Sequence, residues 1–238
     1  MSSTRQHPIA KIESKTIMDL IATNRRLDDR SSTDYRDLKI DVGVIEKANG
    51  SAQVNLGKTK VLVGVKVELG DPFPDTPEEG ILTVNAELVP LASPSFEPGP
   101  PDENSIELAR VVDRGIRESK AIDLKRLCVE PGKKVFVVFI DVYVLDHDGN
   151  LIDASALAAL SAIINARMRN YTVENGEVVY KEGLIPLPIQ NYPIAITMGK
   201  IGSSLVVDPS LEEEQVMTAR LTVTVEKEGN ICAMQMAG

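Results

Sequence analysis

The chain has 238 residues, 43% of them apolar and 26% charged, enough for a full core of the soluble globular kind. Only 4% are aromatic, none is Trp, and the formal net charge is −9. This argues against a nucleic-acid surface of stacked aromatics and against a broadly basic binder, while leaving room for a local basic patch.

In chain order, Lys11 to Thr23 carries Ile12, Ile17, Leu20 and Ile21 at helical spacing and predicts a short amphipathic helix. RRLDDRSSTDYRD reads as a polar connector dense in charge. Lys39–Glu46 alternates apolar and polar residues as a half-buried strand, and turns at Asn49-Gly50 and Gly57-Lys58 lead into Ser51–Leu56 and VLVGVKVEL. DPFPDTPEEG is a Pro-rich loop, Leu82–Ala92 a strand, and SPSFEPGPPDEN a long loop of the size that tends to carry function. A helix is expected over Ser105–Ile122. KKVFVVFIDVYVL then reads as a buried central strand, ending at Asp148-Gly149. The next helix (Ala154, Ala156 to Leu160, Ala162 to Ile164) is apolar on most sides and must be covered on most sides, with Asp153 placed to cap it. A small hairpin with Asn175-Gly176 at its tip follows, then strands at Ile194–Met198, Ser204–Val207, Ala219–Glu226 and Ile231–Met236. The order of elements gives an α+β or mixed α/β fold with helices on one side of each sheet, and no internal repeat is visible.

On the Ser105–Ile122 helix, Leu108, Val111, Val112, Gly115 and Ile116 share the inward side, and Arg110, Arg114 and Arg117 lie opposite. Three guanidinium groups on one face suit a polyanionic backbone. Glu107, Asp113 and Glu118 at i±3 or i±4 offer the other reading, a solvated salt-bridged face. Asp208, Glu212, Glu213 and Glu214 form an acidic cluster that suits Mg²⁺ or acid/base work. A solvated acidic turn is the commoner meaning of such a run. His7 and His147 have no partners at ligand spacing, so no metal site is expected. No nucleophile elbow, phosphate-cradling glycine loop or dinucleotide fingerprint is present. Cys128 and Cys232, in apolar strand-like surroundings, read as buried free thiols of a reducing cytosol. No apolar run is long enough to span a bilayer and no signal-peptide core opens the chain, so a cytoplasmic protein without membrane contact is expected.

Four blocks, GSAQVNLGKTKVLVGVK, NSIELARVVDRGIRESKAIDL, VYVLDHDGNLIDASALAALSAII and VVDPSLEEEQVMTARLTV, resemble in order and spacing the RNase PH family. The nearest resemblance is to the non-catalytic RNase PH-like subunit type of the archaeal exosome core, from about Lys15 to Gly238. It implies a single RNase PH-like domain over 1–238 of the ribosomal-protein-S5 domain-2 type, with its N-terminal helix at 11–23. The family's final helix has no counterpart after Gly238. It also implies a heterodimer with a catalytic RNase PH-like subunit, three such dimers in a hexameric ring, RNA-binding cap subunits, and RNA degraded from its 3′ end with inorganic phosphate as nucleophile. No cofactor is implied.

The departures from the active pattern define the expected role. Active members carry a Gly-Gly-Thr-Arg-type stretch whose Arg binds the attacking phosphate. Here Asp148-Gly149-Asn150-Leu151-Ile152 places Ile152 at that position, and an apolar side chain cannot hold a phosphate dianion. Two aspartates six residues apart become Glu214 and Arg220, and the arginine pair before the Ser-Ile-Glu becomes Glu103 and Asn104. Phosphate-transfer chemistry needs cationic and acidic groups in fixed places, so the resemblance implies a catalytically silent subunit with no catalytic residue of its own. The Arg pair of this subunit type that reaches toward RNA in the partner's active site matches Arg110 and Arg114, with Arg117 beside them. The rival readings are an exoribonuclease active alone and a monomeric S5-like RNA-binding domain.

Overall fold

The computed structural model describes residues 11–174 and 177–238. The first helix, α1 (Lys11–Ala22), buries Ile17 and Ile21, one turn apart, against Ile201, Val206 and Val216. β1 (Leu38–Val42), β2 (Gly50–Leu56) and β3 (Thr59–Gly70) form an antiparallel meander. β4 (Ile81–Leu88) runs through α2 (Glu103–Glu118) and the short β5 (Cys128–Glu130) to β6 (Lys134–Asp146). β6 inserts between β3, antiparallel, and β4, parallel, so the order is β1-β2-β3-β6-β4. Parallel neighbours need such a helical crossover, since a tight hairpin joins only antiparallel strands.

α3 (Leu151–Asn165) follows β6, then the two-stranded sheet of β7 (Arg167–Glu174) and β8 (Glu177–Pro186). A second large sheet is built from β9 (Ile194–Ile201), β10 (Ser204–Val207), β11 (Ala219–Val225) and β12 (Ile231–Ala237), in the order β10-β9-β11-β12, with a single-turn helix α4 (Leu211–Glu214) between β10 and β11. α2 and α3 lie side by side between the two sheets: α3 packs on β2 and β3 on one side and on β9 on the other, and α2 packs on β4 and β12. Each sheet therefore carries its helices on one side, as the α+β reading expected. The sandwich also explains the composition of α3, whose Ala158, Ala159, Ala162 and Ile163 are fully enclosed. Small side chains let two sheets approach one helix.

Several expectations are corrected. β1 stops at Val42 because Gly43 takes φ +71, and it is an exposed edge with Leu38, Ile40 and Val42 open to solvent; among the described residues no strand pairs with its outer side. The central strand is buried on both faces only over its first half, where Val135 and Val137 pack with Ile81 on the face opposite the main core. Asp141, which accepts a hydrogen bond from Asn85 Nδ2 (3.1 Å), and Tyr143 belong to the solvent face. α2 runs two residues further back than expected, because Asp102 is its N-cap and accepts from the Ser105 N–H at 2.8 Å. It ends at Glu118: Lys120 takes φ +53, and the Lys120 and Ala121 N–H groups return to the Arg117 and Ile116 carbonyls. This is a Schellman ending without the glycine that would have signalled it. Asp153 does not cap α3. It lies inside the first turn, buried, where its carboxylate accepts from Thr197 N–H and Oγ1–H (3.0 and 2.7 Å) and from the Tyr35 hydroxyl (3.1 Å). Cys128 and Cys232 are half-buried free thiols, not buried ones. The Asn175-Gly176 tip and His7 lie outside the described residues.

One close approach sets the distance between β2 and α3. A Cβ on Gly50 would sit 2.4 Å from the Ala162 carbonyl oxygen and 2.6 Å from the Ala166 Cα, backbone atoms that cannot turn aside. Gly50→Ala is expected to cost about 3 kcal/mol, read as a fall of roughly 10 °C in melting temperature for a chain of this size. A variant melting within 2–3 °C of the unchanged chain (roughly 1 kcal/mol by the same scaling) would show that the sheet slides away freely.

Candidate functional site

The turn between β6 and α3 carries the position that the resemblance assigns to phosphate. Its shape is forced by Gly149 at φ +88, where a Cβ would strike the Pro209–Leu211 backbone at 2.5–2.7 Å, and by Asn150 at φ +50. Arg36 donates to the Asp148 and Gly149 carbonyls (2.5 and 3.3 Å), and the Thr59 hydroxyl donates to Gly149 O at 2.7 Å. Asn150 Nδ2 donates to Asp208 Oδ1 (2.8 Å) and Asp153 Oδ2 (3.0 Å). The Asn150 N–H, at the positive end of α3, is already taken: it donates to Glu214 Oε1 at 2.9 Å. Ile152, in the first turn of the helix, is buried. A carboxylate and an apolar side chain thus stand where an anion would have to sit.

The acidic cluster is not a solvated turn. Asp208 is enclosed and receives Arg36 through Nε (2.9 Å) and a terminal nitrogen (2.7 Å), Arg36 N–H (2.9 Å), and Arg30 (2.9 Å). Burial pushes its carboxyl up, but the Arg36 side-chain and backbone hydrogen bonds and Asn150 hold it below the ordinary range. Glu213 is buried against the guanidinium of Arg26, which also donates to Val207 O and Asp208 O (2.8 and 2.7 Å). Glu213 additionally closes a capping box with Ser210 on α4. Only Glu212 of the cluster is exposed. Among the described residues no group of three His, Cys, Asp or Glu could hold a metal ion.

Reading 25–37 as a mere connector missed Arg26, Arg30 and Arg36. No local signal marks them, because their partners lie far along the chain and meet them only in the fold. The nearby His147 ring stacks on Phe96 (centroids 5.3 Å apart), and burial, then the Arg36 charge, pushes its pKa down.

Glu214, half-buried, behaves differently from Asp208. Burial pushes its carboxyl up to about 7, against the Asn150 N–H and the charges of Arg220 and Arg36. Folding thus favours the protonated form, so its contribution is complete near pH 4–5 and is lost as pH rises through about 7. Between pH 5 and 8 the unchanged chain is expected to lose stability relative to Glu214→Gln, by up to about 3 kcal/mol at 1.36 kcal/mol per pH unit. Urea unfolding at the two pH values tests this, and an equal difference at both would reject it. Arg220, at the other position where the resemblance implies an acid in active members, is engaged by Glu107 at 2.5 Å.

The arginines of α2 have separate fates. Arg117 pairs with Asp113 (2.6 Å) and donates to the Leu82 carbonyl at 2.9 Å, so the salt-bridge reading holds for it. Arg114 donates only to Gln235 Oε1, at 3.2 Å. Arg110 is exposed and has neither a hydrogen bond nor an ion pair among the described residues. Glu107, which could have paired with Arg110 three residues on, is turned to Arg220. The three guanidinium groups share the rim of an open groove of about 360 Å³ between α2 and β4, with Asp113 and Glu118 at its Arg117 end.

Comparison with known proteins agrees with this architecture. Domain 1 of the 3′ exoribonuclease family matches residues 34–169, and domain 2 of that family matches residues 191–238. "Exosome complex component Rrp42" of Thermococcus kodakarensis is 58% identical over 229 residues, 95% of this chain and 84% of the relative. The protein of the same name from Methanothermobacter thermautotrophicus is 52% identical over 231 residues, 97% of this chain and 85% of the relative. A chain in the structure of the Archaeoglobus fulgidus exosome with RNA bound to the active site superposes with a TM-score of 0.88 at 50% identity, covering 95% of this chain and 87% of that one.

Proposed function

The chain belongs to the 3′ exoribonuclease family of RNase PH, and from that premise we propose that it is the catalytically silent subunit of an exosome that degrades RNA from the 3′ end. The observation that carries the proposal is the N-terminus of α3, where Glu214 Oε1 holds the Asn150 N–H and a buried Ile152 stands where the resemblance implies a phosphate-binding Arg. A phosphate entering there would find the Asn150 N–H already taken by Glu214 and an apolar wall beside it, and phosphorolysis has no place to begin. Arg220 cannot substitute for the missing cation, because Glu107 neutralises it.

In this reading the whole chain acts as one RNase PH-like unit in a heterodimer with a catalytic RNase PH-like subunit. Three heterodimers close a hexameric ring in the cytoplasm, topped by RNA-binding cap subunits. The exposed apolar edge at Leu38, Ile40 and Val42 suits a chain that is finished by its neighbours. Arg110 and Arg114 supply charge to the RNA backbone, and Arg117 fixes the helix that presents them. An acidic protein can do this because the electropositive surface need only be local. No helix among the described residues is long and apolar enough to cross a membrane.

The test is a pair of measurements on the full chain. Alone, with RNA and inorganic phosphate, it should release no nucleoside diphosphate. Mixed with a catalytic-type RNase PH-like subunit, it should form a heteromer by light scattering and support release. Diphosphate production by the chain alone would establish the self-sufficient enzyme instead, and a persistent monomer in the mixture would establish the isolated RNA-binding domain.

A further inference from the structure

The basic face of α2 stands among acids. Glu107 lies three residues before Arg110 and Asp113 three residues after it, and side chains at that spacing meet on a helix surface. Neither acid pairs with Arg110. Asp113 accepts from Arg117 Nε (2.9 Å) and Nη2 (2.6 Å). Glu107 turns off the helix face to accept from Nη2 of Arg220 on β11, at 2.5 Å.

Two features make Arg220 decide where Glu107 points. The first is the strength of the pair. Among the described residues Glu107 is the one hydrogen-bond partner of the Arg220 side chain, and a hydrogen bond between ionised groups is about twice as strong as a neutral one. The Arg220 side chain is 19% exposed, so the attraction is screened less than that of a pair on an open helix face. The second is the freedom of the acid. The Glu107 side chain is 35% exposed, so packing alone does not fix it. Without Arg220, the nearest cation along α2 is Arg110, at the i+3 position where a Glu–Arg pair forms on a helix.

We propose that Arg220 is a positioning residue for RNA binding: by holding the Glu107 carboxylate toward β11, it keeps that acid from pairing with Arg110 and leaves the Arg110 guanidinium free for a phosphate of the RNA backbone. The inference rests on the reading of α2 as the RNA-facing helix. It gives a use to the cation that stands where the resemblance implies an acid in active members.

The test is the affinity of the assembled complex for fluorescein-labelled oligoadenylate, read by anisotropy at low salt without inorganic phosphate. Arg220→Gln should weaken binding about threefold, because Arg110 then spends most of its time on Glu107 and RNA must displace it. In a chain carrying Glu107→Gln no carboxylate can take Arg110 from that side, and adding Arg220→Gln should cost only the small through-space effect of one lost charge. Arg220→Lys, which keeps the charge, should bind as the unchanged chain does. A crystal of Arg220→Gln should place the Glu107 carboxylate within about 4 Å of the Arg110 guanidinium. An equal cost of Arg220→Gln in both backgrounds, or a Glu107 directed away from Arg110 in that crystal, would overturn the proposal. Arg110→Gln, measured alongside, separates the two readings. If it weakens binding and Arg220→Gln does not, this inference alone falls; if it binds RNA unchanged, the RNA-facing reading of Arg110 falls and takes this inference with it. Melting curves check that each variant folds, and Arg220→Met, which keeps an apolar stem, replaces Arg220→Gln should the latter not fold.

Discussion

Replacing Arg110 and Arg114 together by Glu is expected to weaken RNA binding by the assembled complex on the order of 100-fold, and to slow RNA decay in parallel at RNA concentrations below saturation. Each guanidinium–phosphate contact is a hydrogen bond between charged groups, worth about 1.5–3 kcal/mol, and two of them amount to roughly a factor of 100 or more. Charge reversal adds repulsion. The salt dependence should change too, because each contact to a single strand contributes about −0.7 to the slope of log affinity against log salt; losing two should flatten it by about 1.4. Structure separates these residues from their neighbour. Among the described residues Arg110 has no hydrogen-bond or ion-pair partner and Arg114 has only Gln235, so both are free to turn toward a ligand. Arg117 is committed to Asp113 and to the Leu82 carbonyl of β4, and Arg117→Ala should cost helix docking more than RNA affinity. Fluorescence anisotropy at several salt concentrations measures all three. Unchanged affinity and slope in the double variant would remove both arginines from the RNA path.

Arg26→Ala should be the most destabilising single change on the polar side of the fold, about 3–5 kcal/mol. Arg26 is 2% exposed and Glu213 likewise, so truncation leaves a carboxylate enclosed without its counter-ion and frees the Val207 and Asp208 carbonyls. The melting temperature should fall by roughly 10 °C or more. Removing both charges, as Arg26→Met with Glu213→Leu, should recover most of the loss, because an apolar pair of similar volume often equals a buried ion pair. If Arg26→Ala melts with the unchanged chain, the N-terminal segment is not held by this pair. Acid acts on the same region through Asp208, whose carboxyl is held low by Arg36. Its contribution is present above the ordinary carboxylate range and is lost as pH falls through the depressed value, the opposite sign to Glu214.

Local pattern made much of the architecture legible. The glycine turns at Gly57-Lys58 and Asp148-Gly149, the period-2 strands and the inward stripe of α2 all use interactions between residues a few positions apart, and these survive into the fold with boundaries shifted by a few residues. Where the shifts occur, a local rule was met by an unexpected residue: Lys120 took the left-handed position usually left to Gly, and Asp102 capped α2 before Ser105.

The sequence by itself determined the order of elements and the arginine stripe of α2, since each is a matter of residue type at a given spacing; that Ile152 stands in the place of a phosphate-binding side chain is what the family resemblance implies. Only the tertiary structure decided which charges are spent. Arg26 meets Glu213 across 187 positions and Arg36 meets Asp208 across 172, and whether such groups stand in water or pair in the interior is set by how the chain closes. The same holds on α2, where Glu107 could have neutralised Arg110 but was drawn to Arg220 on β11. A charged side chain is identical in every sequence context, and its partner exists only once distant segments are packed side by side.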